Sequence, residues 1–527
     1  MYSRALFLSA AGMVGVSSVA SLAADQARPN ILFIFSDDHA LQAISAYNYG
    51  GRNLNQTPNI DRIAKEGVIF RNNFCANSIC APSRATVLTG KHSHLNGVTE
   101  WQKFDGAQTT FPKLLQQAGY TTGIFGKWHL ISKPMGFDEW MVHPGQGDYY
   151  NPDYLTPTGK KRITGYVTDI NTDLSIDFMK RHAADGKPFL LMCQYKAPHR
   201  NWLPGPKQLA TLGPKMRDYA EPTNLMEDYT DKSSRVCKHR MGVAKHLVLG
   251  SDLKMVPAGA LPYGASRMNS DQKAAWLAAY TPIIEDFNRT DPKGDALVHW
   301  KYQRYLQDYL ACVASVDENV GRLLDYLKAS GLDKNTMVVY SSDQGFFLGE
   351  HGWFDKRWIY EESFRMPLMM RWPGMIPAGT AVDQLTQNID FAPTLLQAAG
   401  VTPPKEMQGM SLLSLIGKPE APWRDALYYH YYDGPGEHGV AKHYGIRTAT
   451  HTLIHMYVTD EWELYDDKAD PAQMHNLIQD PARQPLVKEL KERLEKLKRE
   501  VGNPIHTPKE EQAFFARKKA AAPPAKP

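Results

Sequence analysis

Four short apolar runs, each ending in polar and reactive side chains, constrain the fold more than any other feature. They cover residues 30–35, 121–125, 189–193 and 337–340. Continuous apolar runs of this length are typical of strands buried in a parallel sheet. Helical patterns lie between them, the clearest from Tyr302 to Lys328. The alternation predicts an α/β sheet in which all four polar ends converge in one cleft, because ligands bind at the carboxyl ends of such strands.

The four polar ends contain carboxylate, amide, lysine and histidine side chains. They are Ser36-Asp37-Asp38-His39, Gly126-Lys127-Trp128-His129, Lys196-Ala197-Pro198-His199 and Ser341-Ser342-Asp343-Gln344-Gly345. Three carboxylates and an amide oxygen suit Ca²⁺ or Mg²⁺ rather than a metal that prefers thiolates. Adjacent aspartates alone usually mark a turn or a helix cap. Their pairing across two strands favours a metal site instead.

The remainder of the chain predicts an insertion and a second domain. Residues 201–301 are polar and weakly periodic, which indicates an elaborated insertion over the sheet edge or the cleft, with a helix over residues 273–287. From about residue 423, short segments are typical of antiparallel strands, and a helix follows with Leu486, Leu490, Leu494 and Leu497. We therefore predict a catalytic domain over residues 28–420 and a small α+β domain over 421–505.

The two ends of the chain predict export and disorder. Arg4, the uncharged apolar stretch 5–20 and small residues before position 24 are typical of a signal peptide over residues 1–23. A retained membrane anchor is the alternative, although the stretch is short for a span. Residues 506–527 are rich in Lys, Ala and Pro and are expected to be disordered. We expect an exported protein, periplasmic or secreted, without stable membrane insertion once the signal is cleaved.

Net charge and cysteine content limit the kinds of binding partner that this chain is expected to have. The net charge is +4 over 527 residues, which by itself indicates neither nucleic acid nor a membrane surface as a partner. Five cysteines are too few for a disulfide scaffold. Any anion binding must therefore come from local placement of cations.

Cys80 lies in the run SICAPSRATVLTG, residues 78–90. Pro82 suits the first position of a helix, so Cys80 is expected at the positive end of a helix dipole, with Arg84 one turn further on. Such a position favours an anionic substrate. A disulfide with Cys75 is the alternative interpretation.

This run resembles the signature of the type I sulfatases, whose Cys-x-Pro-Ser-Arg cysteine is oxidised to formylglycine by a formylglycine-generating enzyme. Residues 119–129 resemble the second motif of that family. The resemblance covers nearly the whole mature chain. It implies an alkaline-phosphatase-like large domain, with a central mixed, mostly parallel sheet flanked by helices, and a small C-terminal α+β domain with an antiparallel sheet. The pattern is similar to bacterial exported sulfatases near the N-acetylglucosamine-6-sulfatases and iduronate-sulfatases.

The resemblance implies a ligand set for one Ca²⁺ or, alternatively, Mg²⁺. The implied ligands are Asp37, Asp38, Asp343, Gln344 and the formylglycine oxygen at position 80. Gln344 departs from the asparagine that is usual in the family. Its amide oxygen is kept but its reach is one methylene longer, which makes it a mark of a subfamily.

The resemblance also implies the catalytic roles. Arg84 and Lys127 would steady the formylglycine and the sulfate, and Lys356 would complete the sulfate clamp. Hydrated formylglycine would attack sulfur, while His199 protonates the departing sugar oxygen. His129, near the formylglycine hydroxyl, would then take a proton as sulfate is expelled.

The expected substrate is a sulfated oligosaccharide, with 6-O-sulfated N-acetylglucosamine or a related sugar as the best interpretation. Candidate sugar-binding residues lie beside Lys356 and in the loop 433–438: His351, Trp353, Arg357, Glu437 and His438. An ordinary Gly/Pro turn is the alternative for that loop. Two other functions stay open, a phosphate or phosphonate monoester hydrolase on the same fold and a non-catalytic glycan-binding relative.

Overall fold

A computed structural model describes residues 28–213, 218–434, 436–505, 507, 509–513 and 516. The predicted signal peptide over residues 1–23 lies outside this part of the chain, as does most of the predicted tail over 506–527. Within the tail, Glu511 is buried and its Oε2 lies 2.5 Å from Lys442 Nζ, so the tail contacts the small domain at this point. Among the described residues, no helix has the length and apolar character needed to cross a bilayer.

The strands and α-helices of the described residues follow in chain order. The strands are β1 Asn30–Ser36, β2 Val68–Phe70, β3 Asn73–Phe74, β4 Thr121–Gly126, β5 Glu139–Val142, β6 Asp153–Thr156, β7 Gly159–Arg162, β8 Phe189–Gln194, β9 Thr336–Ser342, β10 Phe347–Leu348, β11 Phe354–Asp355, β12 Leu368–Arg371, β13 Thr380–Val382, β14 Thr386–Gln387, β15 Ala426–Tyr431, β16 His443–Thr448, β17 His451–Met456 and β18 Glu461–Asp466. The α-helices are α1 Pro58–Lys65, α2 Cys80–Thr89, α3 Ser93–Asn96, α4 Phe111–Gln117, α5 Val167–His182, α6 Pro206–Leu209, α7 Val243–His246, α8 Ser270–Thr290, α9 Gly294–Ser330, α10 Glu361–Phe364, α11 Phe391–Ala398 and α12 Gln484–Glu500.

The four predicted strands are confirmed and lie side by side at the centre of one sheet. The order of this ten-stranded sheet is β13-β2-β12-β9-β1-β8-β4-β5-β6-β7. The pairs β9–β1, β1–β8 and β8–β4 are all parallel. Antiparallel pairs occur outside this centre, at β12 and beyond β5. The sheet is therefore mixed and mostly parallel, as predicted, and the carboxyl ends of its four central strands meet at one edge.

Side chains alternate along β1 between two cores, one on each face of the sheet. Ile31, Phe33 and Phe35 face the core that contains residues of α2, α4 and α11. Leu32 and Ile34 face the core that contains residues of α1, α5 and α9. Both faces are therefore buried, which is why the sequence of this strand is continuously apolar. The predicted helices over 273–287 and 302–328 are confirmed as parts of α8 and α9.

The small sheet at the C-terminal end has the antiparallel order β15-β16-β17-β18. One face packs against Val487, Leu490 and Leu494 of α12. The other face, which includes Tyr429 and Ile454, belongs to the same core as α2 and α11. The small sheet is therefore held against the main body through its inner face. The domain boundaries near residues 28, 420 and 505, and the limits 201–301 of the insertion, stay predictions.

Candidate active site

Three buried carboxylates meet at the ends of β1 and β9. Ser36 pairs with Ser342 in the register of these strands, so Asp37 and Asp38 leave the sheet beside Asp343. The backbone N–H of Asp38 donates to Asp343 Oδ1 at 3.0 Å. One oxygen from each carboxylate lies within 4.8 Å of the other two. Such a group of acceptors can hold a cation.

Gln344 completes this cluster. Its Nε2 donates to Asp38 Oδ1, while its Oε1 is buried and has no hydrogen-bond partner. Asp37 Oδ1 is also buried without a hydrogen-bond partner, although Arg84 Nη2 lies 3.6 Å away. Buried polar atoms are rarely left unpaired in folded proteins. Two unpaired oxygens beside three carboxylates fit a hard divalent cation such as Ca²⁺ or Mg²⁺.

Burial and neighbouring charge separate the pKa values of the three carboxyl groups. Burial raises the pKa of Asp38 to about 6, and burial together with Asp37 raises the pKa of Asp343 to about 7. Burial would also raise the pKa of Asp37, but Lys127 holds it well below its usual value. A divalent cation favours the ionised form of all three carboxyl groups, so its binding would release protons.

Cys80 is the first residue of α2, two residues earlier than the helix start expected from Pro82, which lies in the first turn. Its Sγ lies 3.5 Å from Lys356 Nζ and 3.9 Å from Gln344 Nε2. Burial and then Asp37 raise the pKa of the thiol, despite the helix N-terminus. The thiol is therefore a poor nucleophile as it stands. Cys75 and Cys80 are both free thiols, which excludes the disulfide between them here.

Each of the three carboxylates forms an ion pair with a different cationic side chain. Arg84 Nη2 lies 3.0 Å from Asp343 Oδ2, and Lys127 Nζ pairs with Asp37. Lys356 Nζ lies 2.5 and 2.7 Å from the two oxygens of Asp38. These cations come from α2, from the end of β4 and from the segment after β11. The structure therefore brings together the residues predicted for the metal site and the sulfate clamp.

Gln194, at the end of β8, supports the clamp and was not predicted. Its Oε1 accepts from Arg84 Nη1 at 2.8 Å, and its backbone carbonyl accepts from Lys127 N at 2.8 Å. Gly126 (φ 110°) lets the two chains approach, since a Cβ atom there would lie 1.9 Å from the Gln194 oxygen. A glutamine at a strand end carries no signal in sequence that distinguishes it from other buried amides.

The two predicted histidines differ in placement. His199 lies on the cleft, with Nε2 3.8 Å from Asp38 Oδ2. Its Nδ1 donates to the Arg200 carbonyl at 2.6 Å, because a carbonyl can only accept. His129 packs its ring 5.7 Å from that of Trp101, and its Nδ1 is buried without a partner. Burial, then Lys127, lowers the pKa of both imidazoles, that of His129 to about 2.

Several predicted site residues have a left-handed backbone. The φ angles are 63° at Asp38, 57° at His129 and 97° at Arg357. Such angles are uncommon outside glycine, and they concentrate where a fold must aim a functional side chain.

Above these residues opens a cleft of about 810 Å³. Asp38, Cys80, His199 and Lys356 lie on it, and Leu261–Gly264 of the insertion and Glu437 of the C-terminal part form its walls. The insertion therefore borders the cleft, which is one of the two positions predicted for it, the other being the sheet edge. The four polar ends converge as predicted, but only Asp38, Lys196 and His199 line the cleft itself. Lys127 and Asp343 are buried behind it, where they contact Asp37 and Asp38.

Three of the predicted sugar-binding residues lie on or beside the cleft. Arg357 and Glu437 line it, and Arg357 Nη2 lies 3.0 Å from Glu437 Oε2. His438 Nε2 lies 2.9 Å from Asp355 Oδ2, and Asp355 also lines the cleft. The loop 433–438 therefore reaches the site, although its residues are about 80 positions from Arg357.

His351 and Trp353 do not reach the cleft, and this prediction is wrong. Both side chains are fully buried. His351 Nδ1 lies 2.6 Å from Glu227 Oε2, and Trp353 Nε1 donates to the Tyr229 hydroxyl at 2.8 Å. They anchor the insertion against the segment that carries Lys356. Their positions beside Lys356 in sequence could not show which way each side chain points.

Other residues on the cleft were not predicted: Trp101, Lys196, Arg200, Tyr263 and Asp355. Asp355 precedes Lys356 directly, and Lys196 is the first residue of the polar end Lys196-Ala197-Pro198-His199, so both had a signal in sequence. Trp101 and Tyr263 lie in irregular segments that carry none.

Comparison with known proteins identifies the family of this chain. Residues 29–401 match the sulfatase family, and residues 349–500 match the family described as N-sulphoglucosamine sulphohydrolase, C-terminal. The chain is 49% identical to an N-acetylglucosamine-6-O-sulfatase of Bacteroides thetaiotaomicron, over 86% of this chain and 83% of that protein. It is 28% identical to the human N-acetylglucosamine-6-sulfatase, over 81% of this chain and 71% of the relative.

Solved structures agree in fold. BT4656, in complex with its substrate D-glucosamine-2-N,6-O-disulfate, superposes with a TM-score of 0.88 at 46% identity, over 91% of this chain and 99% of that chain. A phosphonate monoester hydrolase from Silicibacter pomeroyi shares the fold alone, with a TM-score of 0.66 at 19% identity, over 90% of this chain and 96% of the other. The family uses formylglycine and a divalent metal, and in this chain Cys80 lies beside a cluster of three carboxylates and Gln344. The chain therefore belongs to the sulfatase family and is a hydrolase of sulfate esters on sulfated glycans.

Proposed function

We propose that this enzyme removes the 6-O-sulfate from glucosamine units, N-acetylated or N-sulfated, of a sulfated glycan and releases inorganic sulfate. The observation that carries the choice of sugar is the similarity to BT4656, whose structure holds a 6-O-sulfated glucosamine, over 99% of that chain. The N-acetylglucosamine-6-O-sulfatase of Bacteroides thetaiotaomicron supports the same choice.

We assign formylglycine to position 80 and Ca²⁺ to Asp37, Asp38, Asp343 and Gln344, with Mg²⁺ as the alternative ion. When bound, these two groups supply a geminal diol as nucleophile and a Lewis acid that favours its ionised form. The thiol of Cys80, buried with a raised pKa, supports the need for conversion by a formylglycine-generating enzyme. The unpaired oxygens of Asp37 and Gln344 support the cation.

Arg84, Lys127 and Lys356 bind the oxygens of the sulfuryl group. They converge from three elements, and each is buried beside a carboxylate. Charge that develops on sulfuryl oxygens is stabilised most by donors already held in place in a site that excludes water. Gln194 holds Arg84, the Asp37 carboxylate holds Lys127 and the Asp38 carboxylate holds Lys356 before substrate arrives.

His199 supplies the proton to the departing sugar oxygen from Nε2, because Nδ1–H is occupied by the Arg200 carbonyl. Burial lowers the pKa of His199, so the imidazole needs a nearby negative charge to hold its second proton. Asp38, 3.8 Å away, and the sulfate ester itself supply that charge. His129 accepts a proton at the end of the cycle, as its low pKa favours the neutral ring.

Arg357, Glu437 and His438 contact the sugar. Arg357 lines the cleft, and its Nη2 lies 3.0 Å from Glu437 Oε2, so a guanidinium and a carboxylate lie together on the wall where the sugar hydroxyls bind. The Glu437 carboxylate accepts from hydroxyl groups at the same wall. We place the enzyme outside the cytoplasm, in the periplasm or secreted, after cleavage of residues 1–23.

The test is sulfate release by purified, formylglycine-containing protein from a panel of sulfated sugars, with Cys80→Ala as control. The panel contains 6-sulfated N-acetylglucosamine, 6-sulfated galactose and N-acetylgalactosamine, 2-sulfated uronate disaccharides and one phosphate monoester. We expect release from 6-sulfated N-acetylglucosamine that is lost in Cys80→Ala. Turnover of the phosphate ester alone would contradict the proposal and favour the phosphohydrolase alternative.

A further inference from the structure

Lys196 is a buried cation on the cleft that the proposed mechanism does not use. It follows β8, is 4% exposed and lines the cleft beside Tyr149. Its Nζ lies 4.9 Å from the centre of the Tyr149 ring. The Tyr149 hydroxyl donates to the His199 carbonyl at 2.6 Å, so this aromatic face is fixed to the same segment as the proposed general acid.

Lys196 differs from the other cations that line the cleft. Lys356 pairs with Asp38 at 2.5 Å, Arg200 with Asp252 at 2.8 Å and Arg357 with Glu437 at 3.0 Å. Lys196 has no carboxylate within 4.0 Å and no hydrogen-bond acceptor among the residues that the structure describes. Asp148, which also lines the cleft, is paired with Arg267 at 3.3 Å.

An unpaired buried ammonium is unfavourable in an isolated protein. Burial, followed by the charge of Lys127, lowers the pKa of Lys196 to about 8. The group stays mostly protonated at neutral pH, and the carboxylates whose charge favours this form, those of Asp37, Asp148 and Asp38, all lie beyond 4.0 Å. An aromatic face compensates only part of the missing direct contact. An anion brought by the substrate would relieve the imbalance.

The scissile sulfate does not need this charge. A sulfate ester carries a single negative charge, and Arg84, Lys127 and Lys356 already surround its proposed position. Lys196 and Tyr149 come from the segments after β8 and β5, whereas Arg357 and Glu437 form the wall on the side of β11 and the small sheet. Lys196 therefore lies on a segment other than those that carry Arg357 and Glu437, and it is not engaged by their ion pair.

We infer that Lys196, supported by Tyr149, binds a second anionic substituent of the glycan, a sulfate or carboxylate, while the Cys80 site hydrolyses the 6-O-sulfate. This inference rests on the proposed function and makes Lys196 a residue that determines specificity. The second anion can come from an N-sulfate on the same sugar or from the carboxylate of a neighbouring uronate. The two sources share the chemistry that Lys196 recognises.

Three substrates separate these cases: N-acetylglucosamine 6-sulfate, N-sulfoglucosamine 6-sulfate, and a disaccharide of glucuronic acid and N-acetylglucosamine 6-sulfate. We expect the wild-type enzyme to have a higher kcat/KM for a substrate that carries a second anion than for N-acetylglucosamine 6-sulfate. Lys196→Gln should lose about tenfold to a hundredfold on that substrate, and clearly less on the monoanion, as expected for one charge-assisted hydrogen bond. Lys196→Arg should restore most of the preference.

Lys207→Gln is the matched control, because it removes the same charge from a side chain that is 77% exposed and lies outside the cleft. It should leave the preference unchanged. Binding of each substrate to Cys80→Ala and to Cys80→Ala/Lys196→Gln, measured by calorimetry, gives a readout without turnover. There too, only the substrate with the second anion should lose affinity.

Equal losses on all three substrates would overturn the inference, since Lys196 would then act on the scissile sulfate or on folding. An absence of any preference in the wild-type enzyme would overturn it as well. A preference for the N-sulfated sugar locates the second anion on the same ring, and a preference for the disaccharide locates it on the neighbour. Failure of the wild-type enzyme to release sulfate from any of the three would instead overturn the proposed function.

Discussion

His443, on strand β16 of the small sheet, accepts a hydrogen bond from the backbone N–H of Ile359 at 3.2 Å. Its Nδ1 donates to the Ala441 carbonyl at 2.7 Å, so the ring is neutral and both nitrogens are paired. Ile359 lies three residues after Lys356. The small sheet therefore helps to position the segment that carries the sulfate clamp.

This neutral ring makes stability depend on pH. Burial lowers the pKa of His443 from 6.5 to about 3. The unfolded chain binds a proton below pH 6.5 and the folded chain does not, so stability is complete above pH 6.5 and falls as the pH drops towards 3. Between pH 6.5 and 5 this one group contributes a loss of about 2 kcal/mol.

We expect His443→Gln to remove this component. The free energy of unfolding, measured in urea at pH 7 and pH 5, should fall less between the two pH values in the variant than in the wild-type protein. The prediction concerns the difference in pH dependence between the two proteins, and it holds even if the variant is less stable than the wild type at pH 7. An identical pH dependence in both proteins would contradict it.

The sequence predicted the centre of the fold well, and the residues expected to form the metal site and the sulfate clamp lie together there. The strands that lead to Asp37, Lys127, His199 and Asp343 are continuously apolar because both faces of the sheet are covered, and the polar residues that follow them mark the edge of the sheet that carries the site. Cys80 and Arg84 lie in one short run whose spacing is set by a single helix turn. Local patterns of this kind are visible without knowledge of tertiary structure.

What could not be predicted depends on contacts between distant segments. The pair Arg357–Glu437 joins residues that only the packing of the small sheet brings together. Contacts between distant segments also explain why His351 and Trp353 do not reach the cleft. At His351, the left-handed backbone (φ 56°) and the contact with Glu227 of the insertion direct the imidazole inwards. That Lys196 lacks a partner is likewise a property of the assembled cleft.

Arg357 should affect recognition of the sugar more than the chemistry at sulfur. We expect Arg357→Ala to lower kcat/KM for N-acetylglucosamine 6-sulfate by about a hundredfold, because buried donors to substrate hydroxyls are worth several kcal/mol in discrimination. The loss on 4-nitrophenyl sulfate, which has no sugar hydroxyls, should be much smaller. Equal losses on both substrates would place Arg357 in the sulfate clamp instead.

Lys356 should be required for the chemical step itself. Its ammonium lies 3.5 Å from Cys80 Sγ and contacts both oxygens of Asp38. Lys356→Met removes a donor from the sulfuryl oxygens, and we expect kcat to fall by about a hundredfold to a thousandfold on every sulfate ester. An arylsulfate and a sugar sulfate should therefore lose the same factor, unlike in Arg357→Ala. A change confined to KM would contradict this role.

The metal site can be tested through stability. Calcium that binds the folded chain raises its melting temperature, and chelation should lower it. Gln344→Ala removes an unpaired buried oxygen, so the calcium concentration at the midpoint of the shift should rise at least tenfold, as outer-shell partners alone contribute about that much. Gln387→Ala, at a glutamine buried elsewhere, should keep the wild-type midpoint. An unchanged midpoint in Gln344→Ala would exclude Gln344 as a ligand.

Cys80 should be irreplaceable even by serine, the residue closest to it in shape. A serine hydroxyl could take up the sulfuryl group once, but it carries no second hydroxyl through which sulfate could be expelled. We therefore expect Cys80→Ser to lose multiple turnover by more than about a thousandfold and to gain the mass of one sulfuryl group. Cys75→Ser is the matched control, because Cys75 is equally buried, forms no disulfide and lies five residues earlier. Sustained sulfate release by Cys80→Ser would show that the diol of formylglycine is not what turns the enzyme over.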